Sequence, residues 1–297
     1  MKILQQAQDL ISSHSGQVDY LEFRFENRTG LNISVYEKGI QGISSSDRVG
    51  GCVRACYRGG WGFASFSDLS RMKDLTLEAI EAARLIGHDK TFLAEVKPIV
   101  DQVGLDLKED PRKISIDHKL EILQNYRNLM LSRKPEVVQA IGLSYKEEFI
   151  TKHFLNSEGS LISQELLEMG LSYDARAVVD GEQTFMFDVK GSTNDFGFIR
   201  GLDSQVQDIC DYVALYARAP KVRGGNYTVV LDPALAGVFA HESFGHTSEA
   251  DLFAEKPGGL DTLRIGKRFG TEELNIYDTG LIPGRSGDFL YDDEGVQ

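Results

Sequence analysis

Between Val18 and Val179 the hydrophobic pattern keeps changing period. A chain that switches between a period of two and one of about 3.6 has to build both a half-buried sheet and helices that cover it. Tyr20, Glu22, Arg24 and Glu26 alternate with Leu21, Phe23 and Phe25, and Leu31–Tyr36 continues in the same way. Glycines at 39, 42, 50, 51, 59, 60 and 62 mark hairpins and bulges of an antiparallel sheet. The alternation returns in Val137–Ile150, Lys152–Asn156, Leu161–Glu165 and Leu171–Val179, with a turn at Ser157-Glu158-Gly159, and predicts a second sheet segment.

Helical spacing occupies the gaps. Ile3, Leu4, Ala7, Leu10 and Ile11 predict a first helix over residues 1–15. Asp68 caps a second one that ends near Gly87, and Leu120, Leu123, Tyr126 and Met130 place a third from Asp117 to before Pro135. A fourth spans Asp203–Ala219 and stops at Pro220. Residues 88–116, with Pro98 and Pro111 among charges, read as a surface linker. The fold class is therefore α+β: an N-terminal domain over 1–219, of antiparallel sheet with helices, followed by the start of a β-rich domain over 220–297.

The second segment carries the chemistry. Tyr227–Leu231 reads as a short apolar strand, Asp232 as an N-cap and Pro233 as the first residue of a buried helix. On it lies His241-Glu242-Ser243-Phe244-Gly245-His246. Two imidazoles beside a carboxylate suit a metal and its water, but zinc-binding helices usually space their histidines four apart. At about 100° per residue, a spacing of five turns His246 roughly 140° away from His241. A π-bulge, or unwinding at Gly245, would return both rings to one side.

Other features exclude alternatives. A net charge of −13 argues against nucleic acid as a direct partner. Neither a basic, apolar leader nor a membrane-length apolar run is present in the sequence, and three cysteines make no disulfide framework, so the expected compartment is the cytoplasm. Cys52 and Cys56 share one strand face, and Cys210 sits on a helix; all three read as packing residues. Trp61 is either a sheet aromatic or a peptide contact. The glycine-rich stretches lack P-loop and GxGxxG spacing, and no GxSxG elbow occurs.

Val229–Pro233, Gly237-Val238, His241-Glu242, Gly245-His246, Glu249, Asp251 and Asp292-Asp293-Glu294-Gly295 together resemble the TldD/PmbA family, in its TldD branch. The resemblance is densest from Tyr227 to Asp251. It implies a zinc-dependent peptidase, a family also described as modulators of DNA gyrase. It further implies that the protein hydrolyses unfolded or extended peptides as a homodimer, or as a heterodimer with a homologous subunit.

Carried over, His241 and His246 are zinc ligands and Glu242 is the base that activates the zinc-bound water. Glu249 and Asp251 either orient the imidazoles or cap and bridge the following turn. The family's third ligand is a cysteine beyond the Asp292–Gly295 segment, so the chain reads as stopping before the family's C-terminal part, with 220–297 covered by another chain or partly disordered. The competing reading is a non-catalytic subunit of a TldD/TldE-like dimer that binds a peptide or partner around an incomplete zinc site.

Overall fold

The computed structural model describes residues 2–254 and 259–297, so Met1 of the first expected helix and residues 255–258 of the expected second domain lie outside the described residues. Two compact units result: one runs to Ala219 and takes in Leu281–Gln297, and the other is Pro220–Gly280. The segment Leu281–Gln297, read from sequence with the second domain, packs in the first unit.

The first unit is α+β, as its alternating periods require. Its elements are α1 (Lys2–His14), β1 (Tyr20–Tyr36), β2 (Gly39–Tyr57), β3 (Gly60–Phe66), α2 (Met72–Ile86), β4 (Val100–Val103), α3 (Ile116–Ser132), β5 (Val138–Asn156), β6 (Leu161–Val179), β7 (Glu182–Ser192) and α4 (Asp203–Ala217). One seven-stranded sheet has the order β3-β2-β1-β5-β6-β4, with β7 also paired to β6. All pairs are antiparallel except β4 with β6.

The two expected sheet segments are thus halves of one sheet. The join is β1, whose 17 residues pair with β2 along one edge and with β5 along the other, from Glu22 opposite Asn156 to Tyr36 opposite Gly142. The linker contributes β4, four residues with Leu161–Gln164 as partners. Strand β7 is an addition to the sequence reading. Its signal is the Asp180-Gly181 pair, both at positive φ, which makes the tight hairpin from β6 just as Arg58-Gly59 does between β2 and β3.

Odd-numbered positions of β1 face the helices. Leu21, Phe23 and Phe25 are buried with Val53, Ala55 and residues of α1 and α2 such as Ala7, Leu75 and Ala79. Farther along, Ile33 and Val35 join Tyr145, Leu171 and Tyr173 against Leu123, Tyr126 and Met130 of α3 and Val206 and Ile209 of α4. Gly62 lets α2 close on β3, because a Cβ there would stand 1.8 Å from the Ala79 carbonyl oxygen. Cys56 and Cys210 are buried and Cys52 is half-buried, and all three are free thiols.

One ion pair is buried in this core. Lys119 of α3 reaches both carboxylate oxygens of Glu147 at 2.7 and 2.8 Å, and the Tyr145 hydroxyl donates to the same carboxylate at 2.5 Å. Both partners are under one-tenth exposed. Burial raises the Tyr145 pKa, and the adjoining carboxylate raises it further.

The second unit is less regular. Tyr227–Leu231 forms no strand: no described residue pairs with it, and Val230 is 97% exposed. A β-rich sequence becomes a strand only when a neighbour takes up its backbone groups. Helix α5 (Pro233–Ala240) forms where expected, but Leu235, Val238 and Phe239 are exposed rather than buried. A helix apolar on all sides is built to be covered, and no described part of the unit does so. Short helices α6 (Ala250–Ala254) and α7 (Gly259–Thr262) follow. No helix among the described residues is long and apolar enough to cross a membrane.

Lys119→Met is expected to cost about 3–5 kcal/mol in denaturant unfolding, because it strands a buried carboxylate, while Lys119→Met/Glu147→Met should recover most of that loss.

Candidate metal centre

The site is set by the first turn of α5. Asp232 accepts a hydrogen bond from the Leu235 amide at 2.7 Å and Pro233 occupies the first helical position, so the register of the helix is fixed before the histidines are reached. Residues His241–Gly245 then form one π turn, closed by the His246 amide donating to the His241 carbonyl. The extra residue changes which side chains share a face.

The five-residue spacing is accommodated in this way. The two imidazole rings lie edge to face with centroids 4.3 Å apart. Ligand atoms of His241, Glu242 and His246 all lie within 4.8 Å of one another, and no other such His/Cys/Asp/Glu group occurs among the described residues. The helix does not unwind at Gly245, which keeps helical backbone angles of φ −54° and ψ −63°. Neither backbone angle nor space requires glycine there: a Cβ would meet the His241 Nδ1 at 3.7 Å, ordinary contact.

Glu249 is the neighbour that organises His246. Its Oε1 lies 2.7 Å from His246 Nδ1. With Nδ1–H donated to the carboxylate, Nε2 keeps its lone pair for a ligand bond. The same hydrogen bond, followed by the Glu249 charge and a smaller effect of Glu242, raises the His246 pKa. Asp251, grouped with Glu249 in the sequence reading, stands in the first turn of α6.

The donor set fits a zinc ion. Bond lengths of about 2.0–2.1 Å put tetrahedral ligands about 3.3 Å apart, a separation compatible with two imidazole nitrogens within 4.8 Å of each other, with the Glu242 carboxylate as near to both. All three residues are exposed, which leaves space for water and a substrate. On the same helical segment, Phe239, Ser243, Phe244 and Thr247 line a cleft of about 630 Å³ with residues 268–277, closed at one point by the Phe244–Phe269 ring contact. The three cysteines all belong to the first unit.

Three family models cover most of the chain: PmbA/TldA metallopeptidase domain 1 over residues 21–85, the central domain over 109–218 and the C-terminal domain over 224–297. A metalloprotease of Synechocystis is 35% identical over 97% of this chain and 62% of its own length. A metalloprotease of Methanocaldococcus jannaschii is 30% identical over 94% of this chain and 62% of its own length, and a zinc metalloprotease TldD homolog of Saccharolobus solfataricus is 26% identical over 100% and 63%. The chain thus spans a little over three-fifths of the length of these curated relatives. Among solved structures, a Bacteroides thetaiotaomicron protein named for a proposed role as modulator of DNA gyrase has the same fold, with a TM-score of 0.80 at 17% identity over 99% of this chain and 67% of that one.

In the metal-free chain, the His246 ring is expected to titrate above 6.5 by NMR, and Glu249→Gln should bring it down. A raised folded-state value means that the contact stabilises the fold fully below the unfolded value and is lost as pH rises through the folded one.

Proposed function

The chain belongs to the TldD/PmbA metallopeptidase family, and on that premise we propose that it carries the zinc-binding and proton-transfer residues of a peptidase. His241 and His246 are the ligands it supplies, and Glu242 is the general base. The observation that carries this reading is the π turn, which groups two imidazoles and a carboxylate that a plain α-helix would separate.

Zinc held there would lower the pKa of a coordinated water to about 7 and polarise the scissile carbonyl. Glu242 takes a proton from the attacking water and returns it to the leaving amine nitrogen. Glu249 holds His246 by its Nδ1–H, which would leave the Nε2 lone pair for zinc. Catalytic zinc sites take three protein ligands, and the family resemblance makes a cysteine the third. The substrates are unfolded or extended peptides, for which the exposed donor set and the adjoining cleft leave room.

The reading extends to a dimeric, cytoplasmic protein. Its support is the uncovered apolar side chains of Leu235, Val238 and Phe239, a surface suited to a second subunit, and three unbridged cysteines.

Elemental analysis and hydrolysis of an unstructured peptide test the proposal in a polypeptide that includes the cysteine-bearing segment. His241→Ala should lose zinc. Glu242→Ala should keep zinc and lose roughly 10²- to 10⁴-fold in hydrolysis. Unchanged hydrolysis in Glu242→Ala would overturn the assignment and favour a non-catalytic, peptide-binding subunit.

A further inference from the structure

Over one part of the sheet face turned away from the helices lies the segment that ends in Asp292-Asp293-Glu294-Gly295. How it is held there is informative. Gln164, only 3% exposed, accepts hydrogen bonds from the Leu290 and Tyr291 amides at 2.8 and 3.1 Å and donates to the Tyr291 carbonyl at 3.0 Å. One buried amide therefore satisfies peptide backbone in both directions, as a neighbouring strand would.

Side chains are recognised as well. The Tyr291 hydroxyl donates to Asp101 at 2.6 Å. Lys152 pairs with Asp293 at 2.7 Å, and Glu294 receives Arg54 at 2.9 Å with Arg24 at 3.6 Å. Gly295, at φ +74°, leaves no room for a side chain: a Cβ would stand 2.7 Å from the Phe154 ring.

Charge is matched across this contact. Within this cluster of ion pairs the sheet supplies five cations, Arg24, Arg28, Arg48, Arg54 and Lys152, against the three carboxylates of Glu22, Glu26 and Glu148. Asp293 and Glu294 supply the other two. The turn itself is made locally, since Asp292 accepts the Glu294 and Val296 amides at 2.8 and 2.9 Å and its own amide donates to the Val296 carbonyl. A short peptide can form it unaided. Beside it a cleft of about 550 Å³ continues between Phe63, Phe154, Ile162 and Tyr291 towards Arg28 and Arg48.

We propose that this face of the sheet is a recognition site for an acidic peptide turn of Tyr-Asp-Asp-Glu-Gly chemistry, occupied here by the chain's own residues 291–295 and open to the same chemistry supplied by another polypeptide. The inference does not depend on zinc or on peptide hydrolysis. The ion pairs of Asp293 and Glu294, whose side chains are more than half exposed, exchange and weaken with salt, so the acidic end of the internal turn is its displaceable part.

The experiment uses a fluorescein-labelled peptide of residues 289–296 and fluorescence anisotropy. Asp293→Asn/Glu294→Gln, which weakens the internal turn, should bind the peptide at least about tenfold more tightly than the unaltered chain. A peptide with Asn and Gln at those two positions should bind at least about tenfold more weakly than the acidic one. Adding Arg54→Gln/Lys152→Gln should abolish binding, with circular dichroism confirming the fold. As a readout on the unaltered chain, the Tyr291 amide, which donates to Gln164 across the contact, should exchange faster in 1 M salt than in 0.1 M. Equal binding of the neutral and acidic peptides, no binding to the folded Asp293→Asn/Glu294→Gln chain, or salt-independent exchange at Tyr291 would each overturn the proposal.

Discussion

Strand β1 is the constraint on which the first unit depends. It is paired on both edges, so its alternation sets the orientation of both halves of the sheet at once. Odd positions send Phe23, Phe25, Ile33 and Val35 to the helices, while even positions send Glu22, Arg24, Glu26 and Arg28 to the other side. A slip of one residue would exchange a core face for a charged one, so the register is strongly held. Core and peptide-holding surface are two consequences of one pattern.

The candidate metal centre follows a different logic. It relies little on packing: His241, Glu242 and His246 are exposed, and their grouping comes from one added residue in a helix whose start is fixed by Asp232 and Pro233. Local hydrogen bonding therefore determines the geometry, and Glu249 adds the orientation of one ring. Such a site can be assembled before the surrounding apolar surface of α5 is covered. That surface is the expected location of further contacts rather than of the chemistry.

Much of this was legible in the sequence for reasons that are themselves local. Pro220 after α4 is a terminal signal that acts within a few residues, and Asp68 accepts from the Ser70 amide, although it caps a 3-10 turn at Leu69–Arg71 that leads into α2 rather than α2 itself; Ser115, which caps α3 by accepting from the His118 amide, is a signal the sequence reading did not use. The π turn was also foreseeable, because the spacing left few geometries for a shared ion. What could not be read were partnerships between distant segments. The apolar run at Tyr227–Leu231 looks like a strand, yet strand formation depends on a partner that composition does not name. The fusion of two hairpins through β1 and β5 likewise leaves no local trace. Strand β7 is a different case, since Asp180-Gly181 advertised it and the exposed Phe185, Phe187 and Val189 alternate as a strand should.

Glu22 links the fold to the acidic turn. It is 1% exposed, and its carboxylate receives Tyr20 at 2.7 Å, Arg24 Nε at 2.9 Å and Arg54 Nε at 2.7 Å. An unpaired carboxylate at that depth would be strongly destabilising, so the two guanidiniums have to be held against it whether or not residues 291–295 are docked. Trp61 restrains one of them further, with the Arg54 guanidinium 5.1 Å from its ring centroid, and that indole leans edge-on to Tyr20. The side chains that meet Glu294 are therefore ordered by the core requirement of Glu22. Binding of the turn loses little side-chain entropy at that end, whereas Lys152, held by Glu26 only at 3.6 Å, is ordered mainly by Asp293. Preorganisation of the arginine pair, more than the number of ion pairs, is what would let these partly solvated ion pairs discriminate an acidic turn from a neutral one.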